Sequence, residues 1–143
     1  MARKQPKFEY AIVCDDIRQE IGNKLTFVGV YQDQIIVAAF PFTFPKLCFF
    51  IQYADIKEGD QFLLELHDPS HNIIDKAINI VVPAGQKSAK MRMFGIYSPI
   101  RVEKEGRYTL GITVNGNDKK KDEIIFSIKE GPVSYTHLTL PTN

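Results

Sequence analysis

Four potential metal donors, His67, Asp68, His71 and Asp75, lie within nine residues of one another. A structural or catalytic metal needs three or four donors that converge on one point. Asp68 and Pro69 are already accounted for by a turn, in which Pro69 fixes φ and the Asp68 carboxylate accepts from backbone amides. Asp75 falls on the strand beyond that turn. The cluster is therefore read as a turn, and neither a metal nor any other cofactor is expected. Cys14 and Cys48 are the two cysteines. They lack C-x-x-C spacing and offer too few ligands for zinc. Each sits in an apolar run, where thiol acidity falls. In a reducing compartment they read as two buried thiols rather than a disulfide.

Other catalytic constellations are no stronger. Ser70, Ser88, Ser98 and Ser127 lack the Gly-x-Ser-x-Gly context of a nucleophile elbow. Asp15 and Asp16 are adjacent carboxylates, but adjacent strand residues point to opposite faces and cannot flank one bond. No phosphate loop or dinucleotide fingerprint is present. The run from Gly116 to Lys121 ends in three lysines and reads as a solvated hairpin end. The chain carries 18 basic and 17 acidic residues, a net charge of +1, so no wider basic field supports nucleic-acid binding. The sequence therefore points away from an enzyme.

Two features remain as candidate partner contacts. Asp16, Arg18 and Glu20 alternate along one strand face as a negative, positive, negative row. The row is read first as a surface charge ladder and second as a binding strip anchored by Arg18. Ile17 and Ile21 are expected to form the apolar face behind it. Phe40, Phe42 and Phe44 recur at period two in Ala39-Phe40-Pro41-Phe42-Thr43-Phe44-Pro45. They are read as capping the open end of the fold, with a sticky edge, centred on Phe42, as the alternative.

The elements that position these residues are strands. The 143-residue chain is 44% hydrophobic and 24% charged, ordinary for one globular domain. Proline and glycine punctuate it at short intervals, and β-branched and aromatic residues fill the runs between. Phe8, Tyr10, Ile12 and Cys14 are expected on one face. Leu47, Phe49, Ile51 and Tyr53 make another apolar face, as do Phe62, Leu64 and Leu66, and Tyr108, Leu110, Ile112 and Val114. Each strand is expected to bury one face, as in antiparallel sheets. Strands are predicted at 8–15, 24–31, 34–38, 46–54, 61–68, 73–82, 89–97, 107–115 and 123–129. Residues 15–21 and 87–93 carry weak helical patterns, and 15–21 fits equally an extended strand reaching a turn at Gly22-Asn23. Eight or nine strands exceed one open sheet, so an all-β, antiparallel β-sandwich is expected.

Glu105-Gly106-Arg107-Tyr108-Thr109-Leu110 and the strand through Asn115-Gly116 resemble the penultimate strand of immunoglobulin-like and fibronectin-type sandwiches, where a Gly-x-Tyr opens the strand and the tyrosine sits at a corner. The Trp and paired cysteines of antibody domains are absent. A longer resemblance runs from Tyr10 to about Gly116. It rests on Asp15-Asp16-Ile17-Arg18-Gln19-Glu20, Asn23-Lys24, Val28-Gly29-Val30-Tyr31, Pro41-Phe42 and the Leu66-x-Asp68-Pro69 hairpin. These are similar to a family of small bacterial β-sandwich proteins of unknown function, which implies a sandwich and no assigned activity. The tail, Val133 through Thr142, resembles the translation of a sequencing-library adaptor. The expected organisation is one domain over 1–132 with a non-native tail over 133–143 and a natural end lying just past Gly131.

The expected function is a non-catalytic module for protein interaction or self-association, in the cytoplasm, with neither nucleic acid nor membrane as partner. No apolar stretch approaches the length of a transmembrane helix or a signal-peptide core. The alternative is a carbohydrate-type ligand sandwich using loop aromatics, weakened by the absence of tryptophan. Ending the chain at Pro132 is expected to leave the melting temperature unchanged. A calorimetric loss of several degrees would show the tail to be a packed strand.

Overall fold

A computed structural model describes residues 5–132. The tail assigned to an adaptor lies outside the described residues. Eleven strands and no helix are formed among them: β1 (Lys7–Glu20), β2 (Lys24–Tyr31), β3 (Gln34–Val37), β4 (Phe42–Phe44), β5 (Leu47–Ala54), β6 (Gln61–His67), β7 (Ile78–Val81), β8 (Met91–Tyr97), β9 (Ile100–Val102), β10 (Gly106–Val114) and β11 (Asp122–Glu130). One sheet has the order β2-β1-β5-β8 and the other β3-β11-β10-β6-β7. The inward faces of the two pack on each other. Phe49, Ile51, Tyr53 and Met93 from the first meet Phe62, Leu64, Leu66, Tyr108, Leu110 and Phe126 from the second. Full burial of each such side chain contributes about 1.5–3 kcal/mol.

All nine expected strands are present, so the all-β sandwich holds. The count of eight or nine is corrected to eleven. The two additions, β4 and β9, are three-residue strands that pair only with each other, Phe42 opposite Val102 and Phe44 opposite Ile100. Runs that short carry no readable alternation. The sandwich is also not wholly antiparallel, because β3 runs parallel to β11. Nothing in a four-residue Gln-Ile-Ile-Val strand fixes its direction before the tertiary fold does. The strand expected over 73–82 contracts to β7, because Asp75 adopts a φ of +61° and breaks the extended path.

Three face assignments are corrected. Phe8 pairs with Tyr53, but Tyr10 pairs with Gln52, so Glu9 is an extra, bulged residue. The bulge turns Phe8, Ala11 and Val13 inward and leaves Tyr10, Ile12 and Cys14 outward. Ile21 stands in the β1–β2 turn, 96% exposed, and backs nothing. Strand β5 is buried at all eight positions, hence on both faces. The expected extended reading of 15–21 is what forms: β1 runs on to Glu20 and turns through Gly22 and Asn23, both at positive φ.

Single polar contacts fix the corners. The Tyr108 hydroxyl donates to the Lys104 carbonyl at 2.5 Å, closing the corner that the Gly-x-Tyr motif predicted. Asp68 accepts from the amides of Ser70 and Asn72 at 2.8 and 3.0 Å, as the turn reading required. The Tyr53 hydroxyl, on β5, donates to the Asp122 carboxylate at the start of β11, 2.6 Å away, and so joins the sheets. Burial first, and then this bond, hold the Tyr53 phenol well above its ordinary pKa. A pKa higher in the folded than in the unfolded state contributes stability that is complete below pH about 10 and is lost as pH rises beyond it. Tyr53→Phe is expected to lower stability by about 1–3 kcal/mol at neutral pH, by loss of a bond to a charged acceptor. Urea unfolding of both proteins should show that gap narrowing above pH about 10.

Candidate functional site

Strand pairing lays three rows across the outward face of the first sheet. The first is Tyr10, Gln52 and Arg92; the second is Ile12, Phe50 and Phe94. The third is Val30, Cys14, Cys48 and Ile96. Phe50 is the centre. The rings of Tyr10, Phe94 and Phe27 lie 6.1, 5.6 and 5.0 Å from its own. Phe50 is thereby buried, while Tyr10, Val30 and Ile96 around it remain 42, 54 and 48% exposed. Apolar groups left on an exposed sheet face cost free energy to hydrate.

Charged groups frame the two ends of this face. At the β1 entry, Gln52 is a buried hub. It accepts from the Tyr10 hydroxyl at 3.2 Å and from Arg92 Nε at 3.1 Å, and donates to Glu9 at 2.8 Å. Lys90 lies 3.4 Å from the same carboxylate. The Gln52 amide, opposed by partial desolvation, and then Lys90 hold Glu9 below the usual carboxylate range.

At the other end the β1–β2 hairpin leans over the face. The Cys14 sulfur lies 3.4 Å from the Asp16 carbonyl oxygen, and the Cys48 sulfur lies 3.8 Å from that of Asp15. The bend is possible because Gly29 takes a φ of +67°, and the Asp15 carboxylate crowds the place a β-carbon would take there. Asp16 receives Lys46 Nζ at 3.0 Å and Arg18 Nε at 3.3 Å. The Lys46 ammonium, more than any other group, holds Asp16 below its ordinary value, and Asp16 in turn raises Lys46.

The four residues singled out from sequence are only partly brought together. Asp16 and Arg18 form one cluster. Glu20 instead accepts from the Thr26 hydroxyl across the hairpin at 2.8 Å. Phe42 is half-buried, its ring 4.8 Å from that of Phe44, which is buried. Phe42 lines a cleft of about 320 Å³ with Asp15, Tyr31, Val37 and Lys46, so Lys46 is its link to Asp16. In that cleft Tyr31 donates to Asp15, and burial and this carboxylate keep the phenol protonated far above its ordinary range. It can serve as a hydrogen-bond donor. Among the described residues no three His, Cys, Asp or Glu side chains converge as a metal site.

Sequence reasoning missed Tyr10, Gln52 and Arg92 as a surface. Their signal was the unbroken apolar run of β5, Leu47-Cys48-Phe49-Phe50-Ile51, which marks a strand covered on both sides. With this geometry in place, residues 9–127 match a family model described as a family of unknown function (DUF6941). The chain belongs to this family. The match takes in β1 from its bulge to the middle of β11, hence every residue of the outward face. No curated protein matches the chain. Among solved structures it is similar to the Pseudomonas fluorescens alkylpurine DNA glycosylase AlkC, bound to DNA containing an abasic site analog, at 10% identity and a TM-score of 0.42. The similarity covers 87% of this chain and 30% of that one, so this chain spans less than a third of the glycosylase. Nothing about function passes across at that level.

Lys46→Met removes the main group that stabilises the Asp16 carboxylate. Asp16 is expected to titrate at higher pH in this variant, nearer the ordinary value, in a carboxyl-carbon NMR titration. An unmoved midpoint would show that Arg18 and the Ile17 amide carry the effect.

Proposed function

We propose that the protein is a non-catalytic interaction module that self-associates through the outward face of the first sheet. The observation that carries the reading is the set of exposed Tyr10, Val30 and Ile96 around the buried ring of Phe50. Charge complementarity favours a second copy as the occupant. A two-fold axis lying across the strands at Phe50 sets the Asp16–Arg18 end of one copy over the Glu9–Lys90–Arg92 end of the other. Asp16 then meets cations and Arg18 meets a carboxylate, so the face is complementary to itself, as an isologous dimer requires.

An immunoglobulin-like arrangement fits this reading. The order β3-β11-β10-β6-β7, the parallel β3–β11 edge and the Tyr108 corner all support it. The bacterial setting implied by the family resemblance, and the cytoplasm expected from the apolar runs of the sequence, belong to the same reading. A net charge of +1 supports the view that neither nucleic acid nor a charged membrane surface is the partner. No helix among the described residues is long and apolar enough to cross a membrane. Phe42 and Phe44 pack on each other, which favours interaction over a carbohydrate platform built on those rings.

Sedimentation equilibrium tests the proposal. The wild type is expected to dimerise at concentrations of about 10–100 µM, typical of modest interfaces. Val30→Asp and Ile96→Asp are expected to be monomers with unchanged circular dichroism. Arg18→Ala should weaken the dimer by about tenfold or less, as a rim charge does. A wild type that stays monomeric throughout, or a dimer indifferent to both aspartates, would overturn it.

A further inference from the structure

Cys14 and Cys48 stand directly opposite each other in the antiparallel register of β1 and β5. Directly opposed residues of such a pair have Cα atoms about 4.5–5.5 Å apart. That separation lies within the span of about 4.4–6.8 Å over which a disulfide closes without backbone movement. Both side chains leave the same, outward face, and both are wholly buried there. Neither belongs to the core between the sheets. Their sulfurs lie near the carbonyls of the adjacent residues Asp16 and Asp15, at the β1 bend. Simple filling of this place would be served by aliphatic residues, which occupy Val30 and Ile96 at either end of the same row.

We propose that Cys14 and Cys48 are a redox couple that closes into a cross-strand disulfide on exposure to a low-molecular-weight disulfide and reopens in excess thiol. One thiol loses its proton, and its thiolate attacks a sulfur of the small disulfide. A mixed disulfide forms and one small thiolate leaves. The second cysteine, deprotonated in turn, attacks the protein sulfur of the mixed disulfide and expels the other small thiolate. The two released protons end on the two small thiols. The cysteine pair is oxidised by two electrons and the small disulfide is reduced by two. Burial first, and then the neighbouring Cys48 thiol, raise Cys14 to about 11, so exchange at neutral pH is slow and accelerates as pH rises. The pair is the last rung of the β1–β5 ladder, at the root of the β1–β2 hairpin. A bond there fixes the root of the arm that carries Asp16, Arg18 and Glu20.

The test is incubation of the folded chain with oxidised glutathione at about pH 8, followed by intact mass and peptide mapping after alkylation. The expected product is about 2 Da lighter, with Cys14 joined to Cys48, and reverts in excess dithiothreitol. Cys14→Ser and Cys48→Ser should instead hold a single glutathione, about 305 Da heavier. Amide exchange in β2 should slow in the bridged form, and its melting temperature should rise by several degrees. Refolding the reduced chain in a glutathione redox buffer is a second route that does not depend on access to the folded thiols. Two glutathione adducts on one chain, or two free thiols after both treatments, would overturn the proposal.

Discussion

Strand β5 lies between β1 and β8 with every one of its side chains out of water. Its odd-numbered residues, Leu47, Phe49, Ile51 and Tyr53, build the inter-sheet core. Its even-numbered residues, Cys48, Phe50 and Gln52, build the centre of the outward face. One strand therefore sets two surfaces at once, and a slip of one residue would exchange them. The register with β1 prevents this by matching Val13 to Phe49 on one side and Ile12 to Phe50 on the other. Everything proposed for the outward face depends on that match, including the opposition of the two cysteines.

Much of the fold was legible because most strands do bury one face. Phe62, Leu64 and Leu66, and Tyr108, Leu110 and Ile112, alternate cleanly, and they are wholly or almost wholly buried. Turn chemistry was legible for a similar reason: Asp68 acts through hydrogen bonds within its own turn, and Asn115 and Gly116 through their own positive φ angles. The failures have physical causes too. Alternation cannot reveal a bulge, so by sequence Phe8 and Tyr10 fall on one face. Nor does it give direction, so the parallel pairing of β3 was invisible. A strand covered on both sides has no polar face to alternate with, so the sequence of β5 does not distinguish it from a half-exposed strand.

The candidate site was less legible than the fold. Asp16 and Arg18 were found because a charge row on a strand is visible in one segment. Lys46, which bears most directly on the Asp16 carboxylate, is thirty positions away in the chain and joins it only through the β1–β5 ladder. Gln52 has the same character. As a lone amide in an apolar run it looks like a blemish. In the fold it satisfies Tyr10, Arg92 and Glu9 together, which is how a buried polar side chain is kept from costing stability.

The extra residue at Glu9 divides β1 into two phases. Before it, the even-numbered Phe8 faces the core; after it, the odd-numbered Ala11 and Val13 do. The first few residues of the strand and the remainder are thus written in different reading frames of the same two-residue code. A single-residue deletion at that point would bring the frames into agreement, with Phe8 still opposite Tyr53, Tyr10 still opposite Gln52 and the rest of the strand unmoved. An insertion elsewhere in β1 would have no such buffer and would invert the whole outward face. The strand can absorb a change of length only at the bulge, which makes Glu9 the one position in β1 where the chain's arithmetic is free to change.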